Sequence, residues 1–96
     1  MEKLELDTTV WENSKETLVM AFNIMFPYFD NPINMVRSYI EKALEYIPEE
    51  YFDDVNKAYA LCLVGEWENL SDEEYALLHN VMYYCMDLED QILETE

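Results

Sequence analysis

NPINMVRSYIEKALEYIP, residues 31–48, reads as a helix set between its own start and stop signals. Asn31 is a good N-cap residue, and Pro32 suits the first helical position, where no backbone donor is needed. Ile33, Val36, Ile40, Ala43, Leu44 and Ile47 then recur at the three-and-four spacing of one buried helix face. Arg37, Glu41, Lys42 and Glu45 fall on the outside. Pro48 is expected to end this helix and to start the next.

Beyond Pro48 a third helix is predicted over 49–64, with Tyr51, Phe52, Val55, Ala58, Tyr59, Cys62 and Leu63 as its core face. Gly65 fits the position just past a helix end, where a positive φ costs it little. EWEN (66–69) is a short connection, with Trp67 folded back onto the bundle. Ser71-Asp72-Glu73-Glu74 has capping-box spacing, and its acids suit the N-terminal helix dipole. The last helix is expected to run to about residue 93. Tyr75, Leu78, Met82, Cys85 and Ile92 lie on one of its faces, and Leu77, Val81, Tyr84 and Leu88 on a second. A helix apolar on two faces belongs at the centre of its bundle.

Before Asn31, the first helix starts at about 10 or 14, because Thr9/Glu12 and Asn13/Glu16 both have capping-box spacing. Leu18, Phe22, Met25 and Phe26 form its buried stripe, Val19 and Ile24 widen it, and Pro27 disfavours continuation. Residues 1–9 are expected to be extended or frayed. No hairpin turn or sustained period-two alternation competes. The expected fold is all-α, a compact bundle of about four helices with short connections, in a single domain over 1–96.

Composition narrows the function. Ninety-six residues that are 51% hydrophobic and 15% aromatic are too apolar for a disordered acidic tail. Yet 22 Asp and Glu against five Lys and Arg leave a net charge of −17, far outside the magnitude of roughly 2–8 that suits a small domain. Such a surface repels phosphates and anionic lipid headgroups, so direct binding to nucleic acid or to a membrane is not expected. MEKLELDTTVWE (1–12) has neither the positive run nor the apolar stretch of a signal peptide. No segment approaches the roughly 18 apolar residues of a membrane span. Cys62 and Cys85 sit in apolar runs and read as buried, reduced thiols of a cytoplasmic protein, a disulfide between them being the lesser reading.

Catalytic patterns are missing. His79 is the sole histidine, set in ALLHNVM, and Ala76 occupies the place a Glu-x-x-His motif would need. One glycine cannot build a phosphate loop, FDNPIN and DLED lack the ligand ladder of an EF-hand, and two cysteines without CxxC spacing make no zinc site. The expectation is a non-enzyme without cofactor or metal.

The acids themselves are patterned. Glu12/Glu16, Glu41/Glu45, Glu49/Asp53, Glu50/Asp54 and Asp90/Glu94 are like-charge i,i+4 pairs, each costing an exposed helix about 0.2–0.5 kcal/mol. Arg37/Glu41 and Asp53/Lys57 compensate in part. Glu49, Glu50, Asp53 and Asp54 form a two-column ridge flanked by Tyr46 and Tyr51. Glu66, Glu68, Asp72, Glu73 and Glu74 surround Trp67 and Tyr75. Asp87, Glu89, Asp90, Glu94 and Glu96 mark the C-terminal end. Any one of these clusters is readily a solvated helix face; all three in 96 residues favour a binding surface.

Carboxylates fixed on helices can stand in for the phosphates that Lys and Arg grip in a nucleic-acid channel. In size, charge and these aromatic-flanked ridges the chain resembles the small acidic DNA-mimic proteins, many of them phage-encoded anti-CRISPR or anti-restriction inhibitors. The resemblance is one of overall character, with no shared motif. It implies a stoichiometric inhibitor of a basic nucleic-acid-binding protein, such as a host-defence nuclease. The partner-binding residues would be Glu49, Glu50, Asp53, Asp54, Glu66, Trp67, Glu68, Asp72, Glu73 and Glu74. An immunity protein or antitoxin against a basic toxin fits the same physics. A structural adaptor subunit is the reading from another class, and the oligomeric state, monomer or homodimer, stays open.

Overall fold

In the computed structural model, residues 4–26 and 28–95 are described, with side chains described through Leu93. The elements in order are α1 (Ser14–Met25), α2 (Pro32–Ala43), α3 (Phe52–Val64) and α4 (Asp72–Thr95). Single 3-10 turns at Leu44–Tyr46, Glu49–Tyr51 and Trp67–Asn69 fill the links. No strand occurs among the described residues, and the all-α bundle follows as expected.

The α2 start forms as its sequence dictates: the Asn31 side chain accepts from the Asn34 N–H at 2.9 Å, with Pro32 at the first position. Ile33, Val36, Ile40 and Ala43 are buried, joined by Met35 and Tyr39. The α2–α3 junction differs from expectation. The helix gives way at Leu44 to a 3-10 turn, well before Pro48, and a second 3-10 turn precedes α3. A 3-10 turn advances each residue by more than an α-helix does. Leu44 is thereby rotated out of the stripe and exposed, whereas Ile47 stays buried.

The capping box of α4 is intact. The Glu74 N–H donates to Ser71 Oγ at 3.2 Å, and the Ser71 N–H donates to Glu74 Oε1 at 2.8 Å. From there α4 runs down the middle, packed against α1, α2 and α3. Leu78, Val81, Met82 and Cys85 are fully enclosed, with Tyr75, Ala76, Tyr84 and Leu88 buried beside them. This is the central helix that its two apolar faces predicted. Cys62 and Cys85 are buried free thiols, and burial pushes each up to about 12. Their thiolates are therefore scarce at neutral pH.

Gly65 ends α3 for a reason other than the expected one. Its φ of −79° and ψ of 153° are extended, not left-handed. Space is what requires glycine: a Cβ there would lie 2.6 Å from the Leu61 carbonyl oxygen and 3.2 Å from Leu70 Cδ2. Trp67 does fold back, packing its ring edge-on to Tyr75 at 5.0 Å while the Tyr75 hydroxyl donates to the Trp67 carbonyl.

Helix α1 begins at the later of its two candidate starts. Ser14 is buried and its hydroxyl donates to the Trp11 carbonyl at 2.9 Å. Leu18 is fully buried, and Phe22 and Met25 pack partly against the core. Phe26 and Ile24 are exposed, because α2 and α4 cover a narrower stripe than the apolar residues of α1 supply. Phe52 and Leu63 of α3 are exposed for the same reason. Phe26 leaves the helix at φ −64° and ψ 136°, as a residue before proline should; Pro27 itself lies outside the described residues.

The segment ahead of α1 carries contacts that its sequence did not indicate. Over its described part, residues 4–13, it is irregular but attached to the bundle. Leu6 joins the core and Leu4 packs against it. Buried Asn80 of α4 holds the strap. Its Nδ2 donates to the Thr9 carbonyl at 2.8 Å, and its Oδ1 accepts from Trp11 Nε1 at 3.0 Å and from His79 Nδ1 at 2.9 Å. A carboxamide with its main valences filled is a low-cost group to bury. Residues 4–9 have no regular secondary structure, and residues 1–3 lie outside the described ones.

Candidate acidic binding face

The strap changes what the acidic clusters build. Laid along α4, it walls a cleft of about 310 Å³ whose other sides are the starts of α3 and α4. Asp54 and Lys57 come from α3, Glu73 and Glu74 from α4, and Asp7 from the strap. Leu6, Val10 and Leu77 give it apolar lining, and Asn80 closes it. Two clusters some twenty residues apart in sequence thus meet, and Asp7, absent from both, is added. Its carboxyl is held below the usual carboxylate range, first by the Thr9 hydroxyl and then by the Thr9 backbone N–H at 2.8 Å.

The ridge of Glu49, Glu50, Asp53 and Asp54 spans a change of helix type. Glu49 and Glu50 belong to the 3-10 turn, and Asp53 and Asp54 to the first turn of α3. Glu49, Glu50 and Asp53 are exposed, whereas Asp54 is half-buried in the cleft wall. Of its flanking tyrosines, Tyr46 is exposed and Tyr51 packs inward, edge-on to Tyr84 at 5.3 Å.

The second cluster divides. Asp72 and Glu73 are exposed on the first turn of α4, and Glu74 is engaged in the cap. Glu66 accepts from Asn69 Nδ2 at 2.6 Å, and Glu68 accepts from Lys15 Nζ at 3.3 Å. That contact raises the Lys15 ammonium above its ordinary value, and Lys15 also lies over the Tyr75 ring at 5.3 Å. Glu66, Trp67 and Glu68 therefore serve the α3–α4 connection and are not drawn into the cleft. In the third cluster, Asp87 approaches the strap, sharing a shallow recess with Glu5, Asp7, Trp11 and His79. Glu96 and the side chain of Glu94 lie outside the described residues.

Sequence reading missed Asp7 and Asn80. The signal for Asp7 was local, since Asp-x-Thr is a turn-forming spacing in which the acid accepts from the backbone two residues on. Asn80 had one signal, a polar residue in the middle of an otherwise apolar helical run. No protein-family model, curated protein or solved structure matches the chain.

Proposed function

We propose that this protein is a stoichiometric inhibitor of a basic nucleic-acid-binding protein, such as a host-defence nuclease, and that it presents carboxylates in place of phosphates. The observation that carries the reading is the convergence of Asp7, Asp54, Glu73 and Glu74 from three chain segments on one cleft. Exposed Glu49, Asp53 and Asp72 lie on the same two helix starts. Acids set on the first turns of α3 and α4 are favoured by the helix dipoles, so these helix starts tolerate the clustered charge. A net charge of −17 steers a basic partner toward this surface and makes association fast and salt-sensitive. On this reading the protein turns over no substrate and works in the cytoplasm of the cell that holds its target.

The test is capture of partners on immobilised protein from the lysate of its native host, eluted first with rising salt and then with competing DNA. Release of a nucleic-acid-binding protein by both supports the reading. A double reversal, Asp53→Lys with Glu73→Lys, changes only exposed side chains and should weaken that complex at least about tenfold while leaving helical content intact. A partner that ignores DNA, or that binds the double variant as tightly as the parent, overturns it.

A further inference from the structure

His79 is the sole histidine, and the contacts that hold the strap leave its ring no choice of tautomer. The Trp11 indole Nε1 can only donate, so the Asn80 atom 3.0 Å from it is the carbonyl Oδ1. The Thr9 carbonyl can only accept, so the Asn80 atom 2.8 Å from it is the amide Nδ2. Two opposite demands thus fix the orientation of a carboxamide that is only 7% exposed. The same Oδ1 lies 2.9 Å from His79 Nδ1, and an acceptor at that distance requires a hydrogen on Nδ1. The imidazolium carries one there in any case, whereas the neutral ring must place its single hydrogen there.

The charges around the ring favour the same form. Glu5 and Asp7 of the strap and Asp87 of α4 line one recess beside His79, and Glu12 lines another. Tyr83, its ring tilted against the imidazole at 4.7 Å, and Tyr84 are the other ionisable groups that α4 brings to it. Helix α1 contributes no charge. It reaches the second recess at Thr17, which also borders an apolar groove between α1 and α4 lined by Met20, Ala21, Ile24, Met25, Tyr83 and Met86. Among the described residues, no Lys or Arg lines either recess beside His79. Asp7 is held low chiefly by Thr9 and in smaller part by His79, so it stays ionised throughout the range in which an imidazole titrates.

We infer that His79 is a proton-operated latch, which holds the strap most firmly when its ring is charged and loosens it as the proton leaves. The element biased is the strap, residues 4–13, docked or released. Docked, it carries Asp7 to the cleft and forms one of its walls; released, it takes both away. Acidification through the imidazole range therefore tightens the strap, because the carboxylates around the ring are already ionised and only His79 gains charge. The latch belongs to the chain alone and works whatever partner the cleft takes.

Nitrogen-15 NMR of the full chain, without any partner, tests this separately from capture of a target. At about pH 8 the neutral ring should carry its hydrogen on Nδ1, the form that Asn80 demands. Exchange of the Trp11 indole N–H with solvent, measured against that of Trp67 at the same pH, reads strap opening. Trp11 should be at least about threefold better protected at about pH 6 than at about pH 8. His79→Gln keeps a side-chain donor and removes the charge, so the pH dependence should vanish. A neutral His79 protonated on Nε2, or a Trp11 protection that is flat or rises with pH, overturns the inference on the parent chain alone. So does a pH dependence that survives in His79→Gln.

Discussion

The acidic cleft and the α1 groove share α4 as a wall, and they are built by opposite means. The cleft is assembled by polar groups over long sequence separations: Asn80 holds the strap, Thr9 orients Asp7, and the Ser71–Glu74 box fixes the α4 start. The groove is simply what remains when α1 supplies more apolar width than its neighbours cover. One surface is a matter of hydrogen-bond geometry, the other of unfilled packing. Substitutions should therefore separate them.

The largest effect expected is one that removes both faces together. Leu78 of α4 is fully buried, and Leu78→Ala should cost about 2–5 kcal/mol through lost burial and the cavity left behind. Thermal or urea unfolding would show it, and partner binding should fall in parallel. If binding survived, α4 would not be the support of the acidic cleft. Next comes Asn80→Ala, which strands the Trp11 and His79 N–H donors and the Thr9 carbonyl at a cost of about 1–3 kcal/mol. Limited proteolysis should then cut ahead of Ser14 while the helices persist. Acidic-face binding should weaken because Asp7 is no longer held. The smallest effect is that of Ser71→Ala, about 1 kcal/mol from the lost cap. It should loosen Asp72 and Glu73, register in hydrogen exchange at the α4 start, and leave the α1 groove unchanged.

These contrasts track what could be read from sequence. Asn31-Pro32 and the Ser71–Glu74 box involve residues within three positions of one another, and both form as expected. The stripe residues of α2 and α4 were legible because those helices are covered. Ile24, Phe26, Phe52 and Leu63 were misplaced because periodicity tells which side chains share a face, not whether another element covers it. Leu44 was misplaced because the period itself changes at the 3-10 turn. As for the site, the clusters could be listed but not joined. Their meeting depends on the strap, and the strap depends on a carboxamide 71 residues from Thr9. Trp67, chosen for its acidic neighbours, is instead a packing residue of the α3–α4 connection.

That 71-residue separation also sets an order in time. A ribosome adding about 5–20 residues per second needs roughly 4–14 s to pass from Thr9 to Asn80. For most of that interval Leu6 and Trp11 have already been synthesised, while the helix that receives them has not been completed. Helices α1 to α3 can form from local contacts as they appear, but the strap has nowhere to dock until α4 is threaded past it. The strap is thus made before its seat, and the acidic cleft is complete only once α4 has been synthesised.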